Sequence, residues 1–247
     1  MMKESVQHRS DRCSITKQLA PILHGSIGSE QRRFTMWWMP ADGSAAEERL
    51  FTQAGNESQF ANSWSPDGKA LAFAQKGGLY ILPLEGDHTP YPLVQSRFVT
   101  GSLKFSPDGN WVAYSSNQSG KPQIYVQPAS GPGPKIQVST NSGTDPIWSR
   151  KSDELFYRDG DMMMACAVST KPKLIVSKPE VLWTGHYSHG VSSSCMGPGP
   201  TSVNYDVTAD GQRFIMIQDK DQDVVGRQLV IVLNWAEELR RLAQKNK

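Results

Sequence analysis

A turn signature that returns at nearly constant spacing is the feature that most restricts what this chain can fold into. Trp64-Ser65-Pro66-Asp67-Gly68 recurs as Phe105-Ser106-Pro107-Asp108-Gly109. It recurs in weaker form as Trp148-Ser149-Arg150-Lys151-Ser152-Asp153 and again as Val207-Thr208-Ala209-Asp210-Gly211. The leading apolar positions, 64, 105, 148 and 207, are 41, 43 and 59 residues apart. A second marker keeps the same period. Trp37-Trp38-Met39-Pro40, Tyr80-Ile81-Leu82-Pro83 and Tyr125-Val126-Gln127-Pro128 are followed by Gly43, Gly86 and Gly131. Self-similarity at this period points to an architecture of stacked supersecondary units.

Each unit reads as four strands. In the one that begins near Phe60, a strand ends at Trp64 and Ser-Pro-Asp-Gly closes a tight turn, with proline presetting φ and glycine taking the left-handed position. Ala70-Leu71-Ala72-Phe73-Ala74 follows, then Leu79-Tyr80-Ile81-Leu82 after Gly77-Gly78, and Tyr91-Pro92-Leu93-Val94 after Gly86-Asp87. Four short strands in every 40-odd residues are the signature of a β-propeller blade. A β-sandwich of short strands is the competing fold, but it gives no reason for whole four-strand units to recur. The expected fold is therefore all-β, a propeller of four-stranded antiparallel blades. Trp, Tyr and Phe, at 7, 7 and 8 residues, supply the bulk for inter-blade cores.

Four units are counted, beginning near Phe60, Thr100, Asp145 and Asn204, after a partial one. That earlier unit takes Pro21-Ile22-Leu23 as its second strand, Phe34 to Met39 as its third and Arg49-Leu50-Phe51 as its fourth. The last unit offers Asn204 to Val207, Gln212 to Gln218 and Gln228 to Leu233. An incomplete ring of 4–5 blades is expected, with inter-blade surface exposed at its ends. Asn234 and Glu237 form a capping box, and Trp235, Leu239 and Leu242 share one helical face. The division is thus 1–32, an irregular segment with a remnant blade; 33–233, the blades; and 234–247, a short amphipathic helix.

The Ser-Pro-Asp-Gly-Lys turn before an apolar strand resembles the TolB-like, WD-repeat-like propellers. Trp37-Trp38-Met39-Pro40-Ala41-Asp42-Gly43, Tyr205-Asp206-Val207-Thr208-Ala209-Asp210-Gly211-Gln212-Arg213-Phe214 and Val232-Leu233-Asn234-Trp235-Ala236-Glu237-Glu238-Leu239 resemble more closely the C-terminal propeller of bacterial eukaryote-like serine/threonine kinases. The resemblance spans roughly residues 33–240 and implies a ring of about six blades, so this chain is expected to be a C-terminal fragment of such a parent. It also implies an extracytoplasmic or periplasmic setting for that parent. No kinase glycine-rich loop, catalytic loop or metal-binding triplet occurs here.

Composition excludes several functions. The net charge of +2 gives no drive toward nucleic acid, and the basic residues Arg240, Arg241, Lys245 and Lys247 read as a solvated helix face. Cys13, Cys166 and Cys195 form neither a disulfide framework nor a CxxC pair. No apolar run approaches the roughly 20 residues that span a bilayer. Met1 to Ser14 lacks the apolar centre of a signal peptide. The chain as written is expected to stay where it is made.

Candidate chemistry is sparse. His186 and His189 with Cys195 offer three ligands where structural zinc wants four, so no metal and no cofactor is expected. There is no Gly-x-Ser-x-Gly elbow, and a peptidase or hydrolase domain of about 150–250 residues would have to lie elsewhere. Asp67, Asp108, Asp153 and Asp210 are explained by turn chemistry, in which the carboxylate takes nearby backbone N–H groups. Met162-Met163-Met164 is assigned to a core strand. A lactonase-like or cyclase-like propeller would need carboxylates or histidines converging on the channel, whereas the inner strands offer Ser102, Lys104 and Asn204. The expected function is that of a non-catalytic binding or scaffold module, with no catalytic residue. Its candidate contact residues lie on the loops that enter the inner strands: Arg97, Phe98, Asp145, His186, Tyr187 and His189. Its partner is an unknown protein or small ligand on that loop face.

Overall fold

The computed structural model describes residues 36–40, 42–50, 59–75, 78–96, 98, 100–131, 133–151, 153–170, 173–188 and 203–218. The described residues are all-β. The first complete sheet has β3 (Gln59–Trp64), β4 (Ala70–Gln75), β5 (Gly78–Pro83) and β6 (Tyr91–Gln95) in sequence order, every pair antiparallel. The second repeats it with β7 (Thr100–Phe105), β8 (Trp111–Ser116), β9 (Gln123–Pro128) and β10 (Ile136–Gln137). In the third, β11 (Thr144–Trp148), β12 (Glu154–Asp159) and β13 (Met162–Ser169) are followed by a divided outer strand. Both β14 (Ile175–Val176) and β15 (Glu180–Thr184) pair with β13.

Shorter pairs flank these sheets. Before them, β1 (Trp37–Trp38) pairs with β2 (Glu48–Arg49); after them, β16 (Tyr205–Val207) pairs with β17 (Phe214–Met216). The strands expected over 34–39 and 49–51 are thus shorter, and Leu50 is buried just past β2 instead of continuing it. The expected strands at 21–23 and 228–233 and the helix over 234–247 lie outside the described residues. These sheets belong to the unit that ends at Ile217; of the second unit, Gln218–Lys247, only Gln218 is described.

Alternation along each strand explains the stacking. A strand sends successive side chains to opposite faces, so each sheet feeds two cores. Leu71, Phe73 and Leu82 pack with Met36 and Leu50 of the preceding unit. Ala72, Leu79 and Ile81 pack the other way, with Leu103, Phe105, Val112 and Tyr114 of the next blade. Ala113, Ile124 and Val126 then meet Trp148, Leu155, Tyr157 and Cys166, while Phe156, Met163 and Ala165 meet Tyr205. The methionine run is core, as its strand pattern predicts, and it is shared: Met163 and Met164 are both buried, one on each side of the third sheet. A sandwich would gather these residues into one core between two sheets.

The turns close as the repeat predicts. The Ser65, Ser106, Ser149 and Thr208 hydroxyls each accept the backbone N–H five residues on, from Ala70, Trp111, Glu154 and Arg213, at 2.9–3.1 Å. Each hydroxyl also donates to the turn carboxylate, Asp67, Asp108, Asp153 or Asp210. The third turn keeps this arrangement although its carboxylate stands four residues after the serine instead of two and it has lost proline and glycine.

Candidate functional site

The first strands of successive blades meet each other, β3 against β7 and β7 against β11, and side chains tie them together. Asn62 Oδ1 accepts the Leu103 N–H at 3.0 Å, and Ser63 Oγ accepts that of Phe105 at 3.3 Å. Trp148 Nε1 donates to the Lys104 carbonyl at 3.1 Å. Ser102 Oγ donates to Asp145 Oδ1 at 3.3 Å, and the Tyr205 hydroxyl donates to the Asp145 carbonyl at 2.7 Å. Each first strand thereby reads the next, and the line of bonds runs from β3 to β16.

Register brings like positions of the repeat to one level. The residues just before the leading apolar positions are Ser63, Lys104, Ile147 and Asp206. Three of these line a cleft of about 380 Å³, together with Phe105, Trp148 and Tyr205. Lys104 is half-buried, and its Nζ donates to the Asn62 carbonyl at 3.4 Å. Burial pushes the Lys104 ammonium below its ordinary value, against the opposing pull of Asp206 and Asp145. Burial likewise raises Tyr205 well above the ordinary phenol value, with the Asp145 charge adding to it.

At the opposite ends of these strands from the Ser-Pro-Asp-Gly turns, charged groups hold the entering loops. Asp159 accepts Asn141 Nδ2 at 3.2 Å and the Ser142 hydroxyl. Arg158 is only 1% exposed, and its guanidinium donates to the Ser188 and Tyr187 carbonyls at 2.7 and 3.0 Å. His186 Nδ1 lies 2.9 Å from Asp161 Oδ2, both groups well exposed.

The candidate residues separate accordingly. Asp145 lies within β11 and is 2% exposed, so its side chain is an inter-blade strut. His186 and Phe98 are exposed, and Tyr187 is half-buried with its carbonyl in the Arg158 grip. The structure thus brings His186 and Tyr187 together on one loop held from blade three. Arg97, His189 and Cys195 lie outside the described residues. Among the described residues no group of three or more His, Cys, Asp or Glu side chains is placed to hold a metal ion. Nor is any described helix long and apolar enough to cross a membrane.

Sequence reasoning passed over Arg158 and Asp159. The available signal was a charged pair ending the apolar strand Leu155-Phe156-Tyr157, where alternation directs Arg158 to the same side as Phe156.

The repeat, the antiparallel four-strand sheets and the alternating inter-blade cores agree with a match to the TolB beta propeller domain across residues 44–234. The chain belongs to the TolB beta propeller domain family. A relative, the uncharacterized protein Atu1656 of Agrobacterium fabrum, is 40% identical over 101 residues, covering 39% of this chain and 34% of that protein. A Streptomyces coelicolor protein named as a tricorn protease homolog is 32% identical over 78 residues, covering 32% of this chain and 7% of its own length. The TolB structure of Acinetobacter baumannii aligns with a TM-score of 0.36 at 14% identity, over 62% of this TolB-type chain and 49% of that one. This TolB-type chain therefore spans about a third of the length of the Agrobacterium relative and far less of the Streptomyces one.

Proposed function

We propose that this TolB-type propeller is a non-catalytic binding module that presents a rigid loop face and inner cleft to a protein or small ligand. The observation that supports this most directly is how the polar groups of blade three are used. Asp159 and Arg158 are engaged in fixing entering loops, and Asp161 faces His186. Groups committed in this way preorganise a surface, and preorganisation lowers the entropic cost of binding. Phe98, His186 and Tyr187 are the contact residues of that surface.

We further propose that the module works within a longer protein, either a TolB-type parent or a membrane kinase whose sensor end it forms, facing the periplasm. The partial coverage of its relatives and the kinase-like closing sequence Asn234-Trp235-Ala236-Glu237-Glu238-Leu239 support this.

Panning a displayed peptide library against the immobilised chain tests the binding role. Enrichment of a sequence family whose binding is lost in Phe98→Ala or His186→Ala is expected. Turnover of ester, lactone or peptide substrates that a single substitution in the chain abolishes would overturn the non-catalytic reading.

A further inference from the structure

We propose that the cleft among β7, β11 and β16 binds short apolar peptides with both ends free, the ligand carboxylate toward Lys104 and the ligand ammonium toward Asp206. The inference rests on the binding-module reading and adds the chemical class of ligand.

Four features of the cleft lead there. Lys104, Ile147 and Asp206 occupy the same repeat position in three successive blades. The site therefore holds one cation and one anion at a common level, separated by a blade that contributes an aliphatic side chain. The Lys104 ammonium has three N–H donors, and the structure gives it one long bond, 3.4 Å to the Asn62 carbonyl. Part of its hydrogen-bonding capacity thus remains for a ligand acceptor, in a place where burial strengthens a charge-assisted bond.

The remaining walls are apolar and aromatic, with Phe105, Ile147 and Trp148 prominent. Trp148 is fixed by its bond to the Lys104 carbonyl, so the apolar wall and the cation are positioned together. Asp206, whose carboxylate accepts the Val207 N–H at 2.8 Å, already pulls on the Lys104 ammonium. A zwitterion set head to tail offers each pole an opposite charge, whereas a singly charged ligand meets one of them with its own sign or none.

Size and span choose among zwitterions. At about 380 Å³ the cleft is near the lower end of ligand sites, which run from roughly 300 to 1,000 Å³. A free amino acid carries both charges on one carbon, whereas two extended residues separate chain ends by about 7 Å. Charges carried on β7 and β16, with β11 between them, call for a ligand whose own charges sit on separate residues.

Calorimetric titration of the whole chain with leucylphenylalanine, its N-acetyl form, its C-amide and the doubly capped form tests the proposal without any substitution. The free dipeptide is expected to bind, and each cap to weaken binding by roughly tenfold or more, since each removes a charge-assisted contact. Lys104→Met should abolish the penalty for amidation while keeping that for acetylation, and Asp206→Asn should do the reverse. Lys69→Met, in an exposed pair with Glu85 on blade one, should change neither. Equal affinity of free and capped peptides, or no binding of the free dipeptide at millimolar concentration, overturns the proposal. Peptides still selected on the loop face in that event would leave the binding-module reading standing.

Discussion

Ser102 and Asp145 stand 43 residues apart in the chain at the same place in successive blades, and they are hydrogen-bonded across the inter-blade seam. Both have positive φ, +51° and +56°, a conformation that non-glycine residues adopt at a cost. Both strands shift register there, between Gly101 and Lys104 in β7 and between Thr144 and Ile147 in β11. The bulge turns the side chains toward the neighbouring blade instead of into a core.

Ser102 is the more direct probe of that strain. Glycine there removes the strain along with the hydroxyl, whereas valine loses the hydroxyl and adds a β-branched side chain at positive φ. Ser102→Val is expected to be less stable than Ser102→Gly by about 1–3 kcal/mol, read from urea midpoints. Equal stability of the two variants would mean that the bulge imposes no such constraint.

The turn carboxylates give the fold an acid sensitivity. The Ser65 hydroxyl and then the Lys69 N–H hold Asp67 below the ordinary value of 3.8. The Thr208 hydroxyl and the Gln212 N–H do the same for Asp210. At Asp108 burial pushes upward, but the hydrogen bonds from Ser106 and Asn110 outweigh it and the net shift is down. A group with a depressed folded value stabilises above its unfolded value and loses that contribution as pH falls through the folded one. Wild type is therefore expected to lose this contribution progressively as pH falls below about 3.8, the ordinary value of these groups. An Asp67→Asn/Asp108→Asn/Asp210→Asn variant should be weaker at neutral pH and approach wild type in acid. A gap of constant size between neutral and acid pH would show that the carboxylate charge contributes nothing.

Cys166 is expected to be inert in the native protein. Its thiol is buried between blades two and three, donates to the Leu155 carbonyl at 3.5 Å, and is pushed up to about 12 by burial. Thiolate, the reactive form, is thus nearly absent near neutral pH. Alkylation followed by peptide mapping, which separates it from Cys13 and Cys195, should find Cys166 unmodified until denaturant is added. Labelling at the rate of an exposed thiol would mean that β13 does not bury Cys166 against the second blade.

The fold was legible because the repeat writes itself in residues with strict backbone roles. Pro66, Asp67 and Gly68 announce a turn by local chemistry, and Leu71, Phe73 and Ala72 announce the two faces of a strand. The site was far less so. Asp145 reads as a loop residue because Thr144-Asp145-Pro146 has turn composition, yet the bulge carries it into β11 and buries it. Arg158 sits in an apolar strand, and nothing local tells that its guanidinium will hold carbonyls of residues 187 and 188. The facing of Lys104 and Asp206 follows only once blade register is known, since they are 102 positions apart.

Gly109 and Gly120 are more alike in the structure than in the sequence. The turn motif marks Gly109 as a position that requires positive φ, while Gly120 reads as part of a looser loop, so Gly109→Val is expected from sequence to be much the more damaging. The backbone shows φ of +73° at Gly109 and +92° at Gly120. Each N–H closes a turn on the carbonyl three residues back, Ser106 at 2.8 Å and Asn117 at 2.9 Å. A side chain at Gly109 would make ordinary contact with Pro66 at 3.6 Å, and at Gly120 it would meet nothing within 4 Å. Space therefore does not separate the two sites, and backbone conformation penalises both. Each valine substitution is expected to cost about 1–3 kcal/mol, with melting shifts of similar size. A large shift at Gly109 with almost none at Gly120 would show that the 117–120 turn relaxes at little cost, and that only the repeat's own turn is held to its conformation.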